Sequence, residues 1–157
     1  MNNKIKILIG VLLVAIISIL AIVLIPKNKE YGDIESFTYN FGSGEGSYYE
    51  FNINIENDKY IFTGKGYSSS DLNIKKELST SDMKELSNII KDNNITSWDG
   101  FDREKKDILD GDSFKLIVKY KNGEKIVANG YMLYPDNYRE ASKKLEEFLF
   151  KISGIEE

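Results

Sequence analysis

The chain has 157 residues and a formal net charge of −4, from 21 basic and 25 acidic residues, and it contains neither cysteine nor histidine. It therefore holds no disulfide, no thiolate or imidazole metal site, no Ser-His-Asp triad, no cysteine nucleophile and no cysteine for a lipid anchor. From residue 26 onward 19 basic residues face 25 acidic ones, a net charge of −6 that keeps a domain soluble and disfavours nucleic acid or anionic lipid as direct partners.

Residues 1–6 form a short tail carrying Lys4 and Lys6, and residues 7–25 follow as nineteen positions without a charge. A helix of that length covers about 28 Å, close to the ~30 Å hydrocarbon core of a bilayer. A buried core helix would carry a polar stripe, and a cleaved signal peptide would have a shorter apolar run followed by paired small residues. Neither pattern is present, so the stretch reads as a retained single-pass anchor. Lys4, Lys6 and the terminal amine precede it and Lys27 and Lys29 follow, which leans toward an amino terminus in the cytoplasm and a carboxy-terminal domain outside it. Residues 26–33 are polar and read as a tether, leaving 34–157 as one extracytoplasmic domain large enough for its own core.

Residues 34–41 alternate and are rich in aromatics, which predicts a strand. Gly42, Gly44 and Gly46 then interrupt it; with a strand and not a helix following, they read as a hairpin loop rather than a phosphate cradle. Tyr49, Phe51, Ile53 and Ile55 alternate with polar residues, Glu56-Asn57-Asp58-Lys59 has turn chemistry, and residues 60–67 return as a second strand. Gly64 and Gly66 mark a bulge or a close backbone approach in it. Residues 72–78 are read as one more strand or a loop.

Ser79 with Asp82 three positions later predicts a capped helix, whose apolar stripe is Met83, Leu86, Ile89 and Ile90 and whose end is Asn93-Asn94. The single tryptophan, Trp98, reads as a residue packing its loop onto the core rather than as a stacking platform. Residues 102–112 are the most polar interval. Asp107, Asp110 and Asp112 beside Gly111 raise the question of a cation, but the spacing does not fit an EF-hand loop and solvated loop charges are the simpler reading.

Phe114, Leu116, Val118 and Tyr120 alternate with lysines, Asn122-Gly123 is a strong hairpin signal, and residues 124–130 supply the returning strand. After Pro135, Asp136 or Asn137 caps a last helix with Tyr138, Ala141, Leu145, Phe148, Leu149 and Ile152 on its apolar face, ended by Gly154. The stretch from Phe51 to Gly66-Tyr67 parallels that from Phe114 to Gly130-Tyr131, each leading to a capped helix. The class is therefore α+β: an antiparallel sheet with two helices against one face, built on a repeated ββα unit or on two hairpins alike by chance.

The run Ser81-Asp82, Leu86, Ile89-Ile90, Asn93, Trp98, then Asp107 to Leu116, Asn122-Gly123, Gly130 and Tyr134-Pro135-Asp136-Asn137-Tyr138 resembles uncharacterised exported or membrane-anchored domains of Gram-positive bacteria. The resemblance covers the second half of the chain and rests chiefly on the DG-x-S-F and Y-P-x-N-Y pieces. It implies an envelope location and an α+β domain, and no activity; many such domains look like lipoproteins, whereas this chain has no cysteine.

Two functions are expected in turn. The first is a non-catalytic envelope module that binds a protein or wall component through loops or an open sheet face, with Tyr48, Tyr67 and Tyr131 as contact aromatics unless they are simply half-buried strand residues. The second is a carboxylate enzyme acting on wall glycans through Glu45 and Glu50, or through Asp107, Asp110 and Asp112, which would require two facing carboxyls, one of them buried. The acids sit in polar contexts, so the first is preferred, and no catalytic, cofactor-binding or metal-ligating residue is assigned.

Overall fold

Alternation of apolar and polar residues gives the longer strands of this chain one wet face and one dry face. A computed structural model describes residues 29–43, 46–67 and 72–155. The expected anchor at 7–25 lies outside the described residues, as do Gly44, Glu45 and residues 68–71. Among the described residues no helix is long and apolar enough to cross a membrane.

The class is α+β, with seven strands and two α-helices among the described residues. The strands are β1 Ile34–Ser43, β2 Tyr48–Glu56, β3 Lys59–Tyr67, β4 Asn73–Leu78, β5 Asp102–Glu104, β6 Asp112–Tyr120 and β7 Lys125–Tyr131; the helices are α1 Thr80–Asp92 and α2 Tyr138–Ser153. The sheet order is β4-β3-β2-β1-β6-β7-β5. β1 is thus the seam between the β2–β3 hairpin on one side and β6–β7 on the other. All pairings are antiparallel except that of β5 with β7, which is parallel, so the sheet is mixed where an antiparallel one was expected. β5 has three exposed charged residues and no apolar pattern of its own; it is held by backbone bonds along β7, including Asn129 N–H to Phe101 O and Lys105 N–H to Tyr131 O. The stretch 72–78, open between strand and loop, is the edge strand β4. Its charged Lys75, Lys76 and Glu77 discourage another chain from pairing there.

The compact unit begins at Tyr31, three residues before the boundary drawn at Ile34. Tyr31 packs on Tyr120 with ring centroids 4.8 Å apart, and Lys121 N–H donates to Asp33 O at 2.9 Å.

The core lies between one sheet face and both helices, and its strand residues are the alternating set: Phe37 and Tyr39, Phe51 and Ile53, Phe62, Phe114, Leu116 and Val118, Ile126 and Ala128. Met83, Leu86 and Ile90 of α1 and Ala141, Leu145, Phe148, Leu149 and Ile152 of α2 close it, as the helical spacing predicts. Phe150 of α2 meets Tyr49 and Phe51 edge-on at 5.1 and 5.7 Å. Fully burying such a side chain contributes about 1.5–3 kcal/mol. The exposed ion pairs Lys59–Glu77 and Lys75–Glu56, both at 2.8 Å, contribute at most about 1 kcal/mol each, so apolar burial and not charge holds the sheet to the helices.

Gly64 lies opposite Phe51 in regular register, and a Cβ there would sit 3.1 Å from the Phe51 ring; the glycine serves a close approach and not a bulge. Gly130 lies opposite Phe114 in the same relation. The two hairpins therefore do share a Phe–Gly pair on the core face, but the partner of Phe51 is Gly64 and not Gly66. Their turns differ. Asn57 and Asp58 both have positive φ, as a type I′ turn requires, whereas of Asn122-Gly123 only Gly123 does, with Tyr120 N–H bonded to Glu124 O across a three-residue loop. The first hairpin also continues into β4 before its helix, while the second goes to α2 without another strand.

At the start of α1 the Ser79 hydroxyl accepts the Asp82 N–H at 3.2 Å and Asp82 accepts the Ser79 N–H at 2.8 Å, the expected capping box. At the start of α2 Asn137 occupies the cap position but makes no cap bond. Its Oδ1 instead accepts the Trp98 indole N–H at 3.0 Å, and its Nδ2 donates to Asn93 O at 2.7 Å, so one amide ties the two helices and the tryptophan together. Trp98 is fully buried against Phe114 and Tyr138.

The hydrogen bonds from Ser79 hold the Asp82 carboxyl below its ordinary pKa of 3.8. A lowered carboxyl stabilises the fold above the unfolded-state value and loses that contribution as pH falls through the folded-state value. Asp82→Asn should therefore destabilise by about 1 kcal/mol at pH 7, with the gap to the parent closing below about pH 4 in urea titrations. Asn137→Ala should cost about 2–4 kcal/mol, from the Trp98 donor it orphans and the positive φ of 61° that alanine tolerates poorly. Asn137→Gly, which removes the bonds but relieves the backbone, should fall between that variant and the parent in urea midpoint.

Candidate functional site

With both helices on one face, the other face of the sheet is left to solvent, and its residues can be read across the strands from the register. At one end a row runs Tyr67, Tyr48, Gly42, Ser113, Tyr131 over β3, β2, β1, β6 and β7. One step along, about 7 Å away, runs Lys65, Glu50, Asn40, Lys115, Asn129. An aromatic row with a small-residue centre thus lies beside a row made wholly of hydrogen-bonding side chains.

The small centre makes a trough. A groove of about 350 Å³ lies there, lined by Tyr48, Tyr67, Tyr131, Leu109, Ser43 and Ser113 among others. Tyr48 and Tyr67 form one wall, with rings 6.0 Å apart and inclined at 49°. Gly42 has φ of 134°, and a Cβ on it would run into the Ser47 carbonyl, so no other residue gives β1 this end. Leu109 stands on the rim at 93 % exposure, and Tyr67 is 48 % exposed.

The three tyrosines singled out from the sequence are therefore brought together, but not as equals. The Tyr131 hydroxyl accepts the Gly111 N–H and donates to Ile108 O, both at 2.8 Å, which moors residues 108–111 at the groove. It offers a ligand only its ring. A Cβ on Gly111 would collide with Met132, whose sulfur accepts the Asp112 N–H at 3.2 Å, so the DG-x-S-F piece is a docking device for this loop. Leu109 and the polar row escaped the sequence reading, the first because it sits in an acidic loop and the second because register across five strands is not written in any one of them.

Asp107, Asp110 and Asp112 are all exposed, and among the described residues no group of three acidic side chains could hold a metal ion. Glu50 is half-buried and accepts from Asn52 Nδ2 at 3.1 Å, while Asn52 Oδ1 accepts from Thr38. Its proposed partner Glu45 lies outside the described residues. Buried hydroxyls lie elsewhere: burial raises the pKa of Tyr39 and Tyr138, which meet at 3.1 Å inside the core with Tyr39 donating to Glu146 at 3.0 Å. That cluster joins α2 to β1 and has no opening to the groove's face.

The fold and this face together describe an α+β domain with a one-sided sheet and an aromatic trough. The chain matches no protein-family model, and no curated protein is similar to it.

Tyr131→Phe should release the loop while leaving the sheet intact. Amide hydrogen exchange at 108–112 is expected to quicken at least tenfold, since two hydrogen bonds of about 1 kcal/mol each are removed, with β6 and β7 unchanged.

Proposed function

We propose that this chain is a non-catalytic binding module of the bacterial cell envelope, held at the membrane by residues 7–25 with its α+β domain outside the cytoplasm, and that the open sheet face is its contact surface. The observation that carries this reading is the groove itself. Exposed Tyr67 and Leu109 and half-buried Tyr48 and Tyr131 cluster around one trough beside a hydrogen-bonding row, the mixture of aromatic and polar groups that contact surfaces use. Asp107, Asp110 and Asp112 are exposed, whereas a glycosidic pair needs one carboxyl buried and facing the other, which favours binding over hydrolysis. The Phe–Gly pair common to both hairpins fits a duplicated ββα ancestor, in which β1 joins the two copies.

The test is site-specific photo-crosslinking in intact cells, with the full-length chain carrying a benzophenone side chain at Tyr67 or Lys115 on the open face, or at Lys84 on α1. Adducts from the open face and none from Lys84 are expected. Adducts only from Lys84, or from no position, would overturn the assignment of the face.

A further inference from the structure

Resting on the binding-module reading, we infer that the occupant of the groove is an uncharged glycan chain lying across the strands, its sugar rings against Tyr48 and Tyr67 and its hydroxyls over the neighbouring polar row.

The argument is one of complementarity. The polar row alternates in sign and in hydrogen-bonding sense: Lys65 donates, Glu50 accepts, Lys115 donates, and the amides of Asn40 and Asn129 stand between and beyond them. Lys65 and Lys115 make no ion pair among the described residues, although Glu50 is the direct cross-strand neighbour of Lys65. A polyanion laid here would meet Glu50 between the lysines; a polycation would meet both lysines. A hydroxyl both donates and accepts, so a chain of hydroxyls can serve Lys65, Glu50, Lys115 and Asn129 in turn without a charge mismatch.

The aromatic row adds the second half. A pyranose presents a flat C–H face to an aromatic ring while its edge hydroxyls remain free to hydrogen-bond, and tyrosine is rigid enough to hold that contact at small entropic cost. Tyr48 and Tyr67 stand side by side on adjacent strands, and the floor of Gly42 and Ser113 leaves the depth for a ring between them and Tyr131. Leu109 supplies apolar cover from the rim. An aliphatic lipid would leave the polar row unpaired, and a folded protein partner would need a flatter, broader apolar centre than this trough offers.

The experiment is calorimetric titration of the full-length chain, kept in neutral detergent, with three named probes: the hexamer of N-acetylglucosamine, cellohexaose and polygalacturonate. Saturable binding of at least one neutral hexamer is expected, changing less than about twofold between 50 and 500 mM NaCl because no net charge is neutralised. Tyr67→Ala and Tyr48→Ala should each weaken it about tenfold, and Tyr67→Phe, which keeps the ring, should restore it to near the parent. Unchanged urea midpoints in the alanine variants separate lost contact from lost fold. Binding of polygalacturonate alone, with a steep loss in salt, would overturn the inference in favour of an anionic ligand. Absence of saturable binding to both neutral hexamers at millimolar concentration would overturn it outright. If open-face crosslinks to a protein form in cells while no hexamer binds, the binding module stands and the glycan does not.

Discussion

The pairing of β1 on both of its edges is the constraint that the rest of this domain obeys. Along one edge Phe37, Tyr39 and Phe41 face Ile53, Phe51 and Tyr49; along the other they face Val118, Leu116 and Phe114. Because side chains alternate, a slip of one residue on either edge would turn these aromatics into water and bring Thr38, Asn40 and Gly42 into the core. Two hairpins that share only modest local sequence are thereby locked to one common parity. The helices add cover to a face that β1 has already defined.

That parity also creates the groove. Gly42 ends β1 in a conformation only glycine accepts, and it falls in line with Tyr48 and Tyr67 on one side and Ser113 and Tyr131 on the other. The core and the groove thus lie on the two faces of the same strand. The buried Tyr39 hydroxyl, bonded to Tyr138 and Glu146, lies on the first face, and Asn40, its neighbour, on the second.

Several polar residues that look functional in isolation do structural work. Asn137 satisfies Trp98 and Asn93 rather than capping its own helix, because a buried indole N–H left unpaired is more costly than an exposed helix end that water can reach. Lys76 points to the core side of the edge strand and donates to the Ile152 carbonyl at 3.4 Å, where the negative end of α2 favours a cation. Asp112, one of three aspartates grouped by sequence, instead begins β6 and bonds Met132 through its backbone.

By itself the sequence determined the local elements, since their signals are local: the alternation in β2, β3, β6 and β7, the Ser79–Asp82 box and the apolar stripes of both helices depend only on residues a turn or a pleat apart. It also determined what chemistry is absent, through the missing cysteine and histidine. Tertiary structure decided what depends on residues far apart in the chain. It placed β1 between the hairpins, drew the patternless residues Asp102–Glu104 into a parallel edge strand, and matched Phe51 with Gly64 rather than Gly66. It alone set Tyr48, Tyr67, Tyr131 and Leu109 around one trough, because a surface shared by five strands is fixed by their mutual register, and register is a property of the folded sheet rather than of any segment within it.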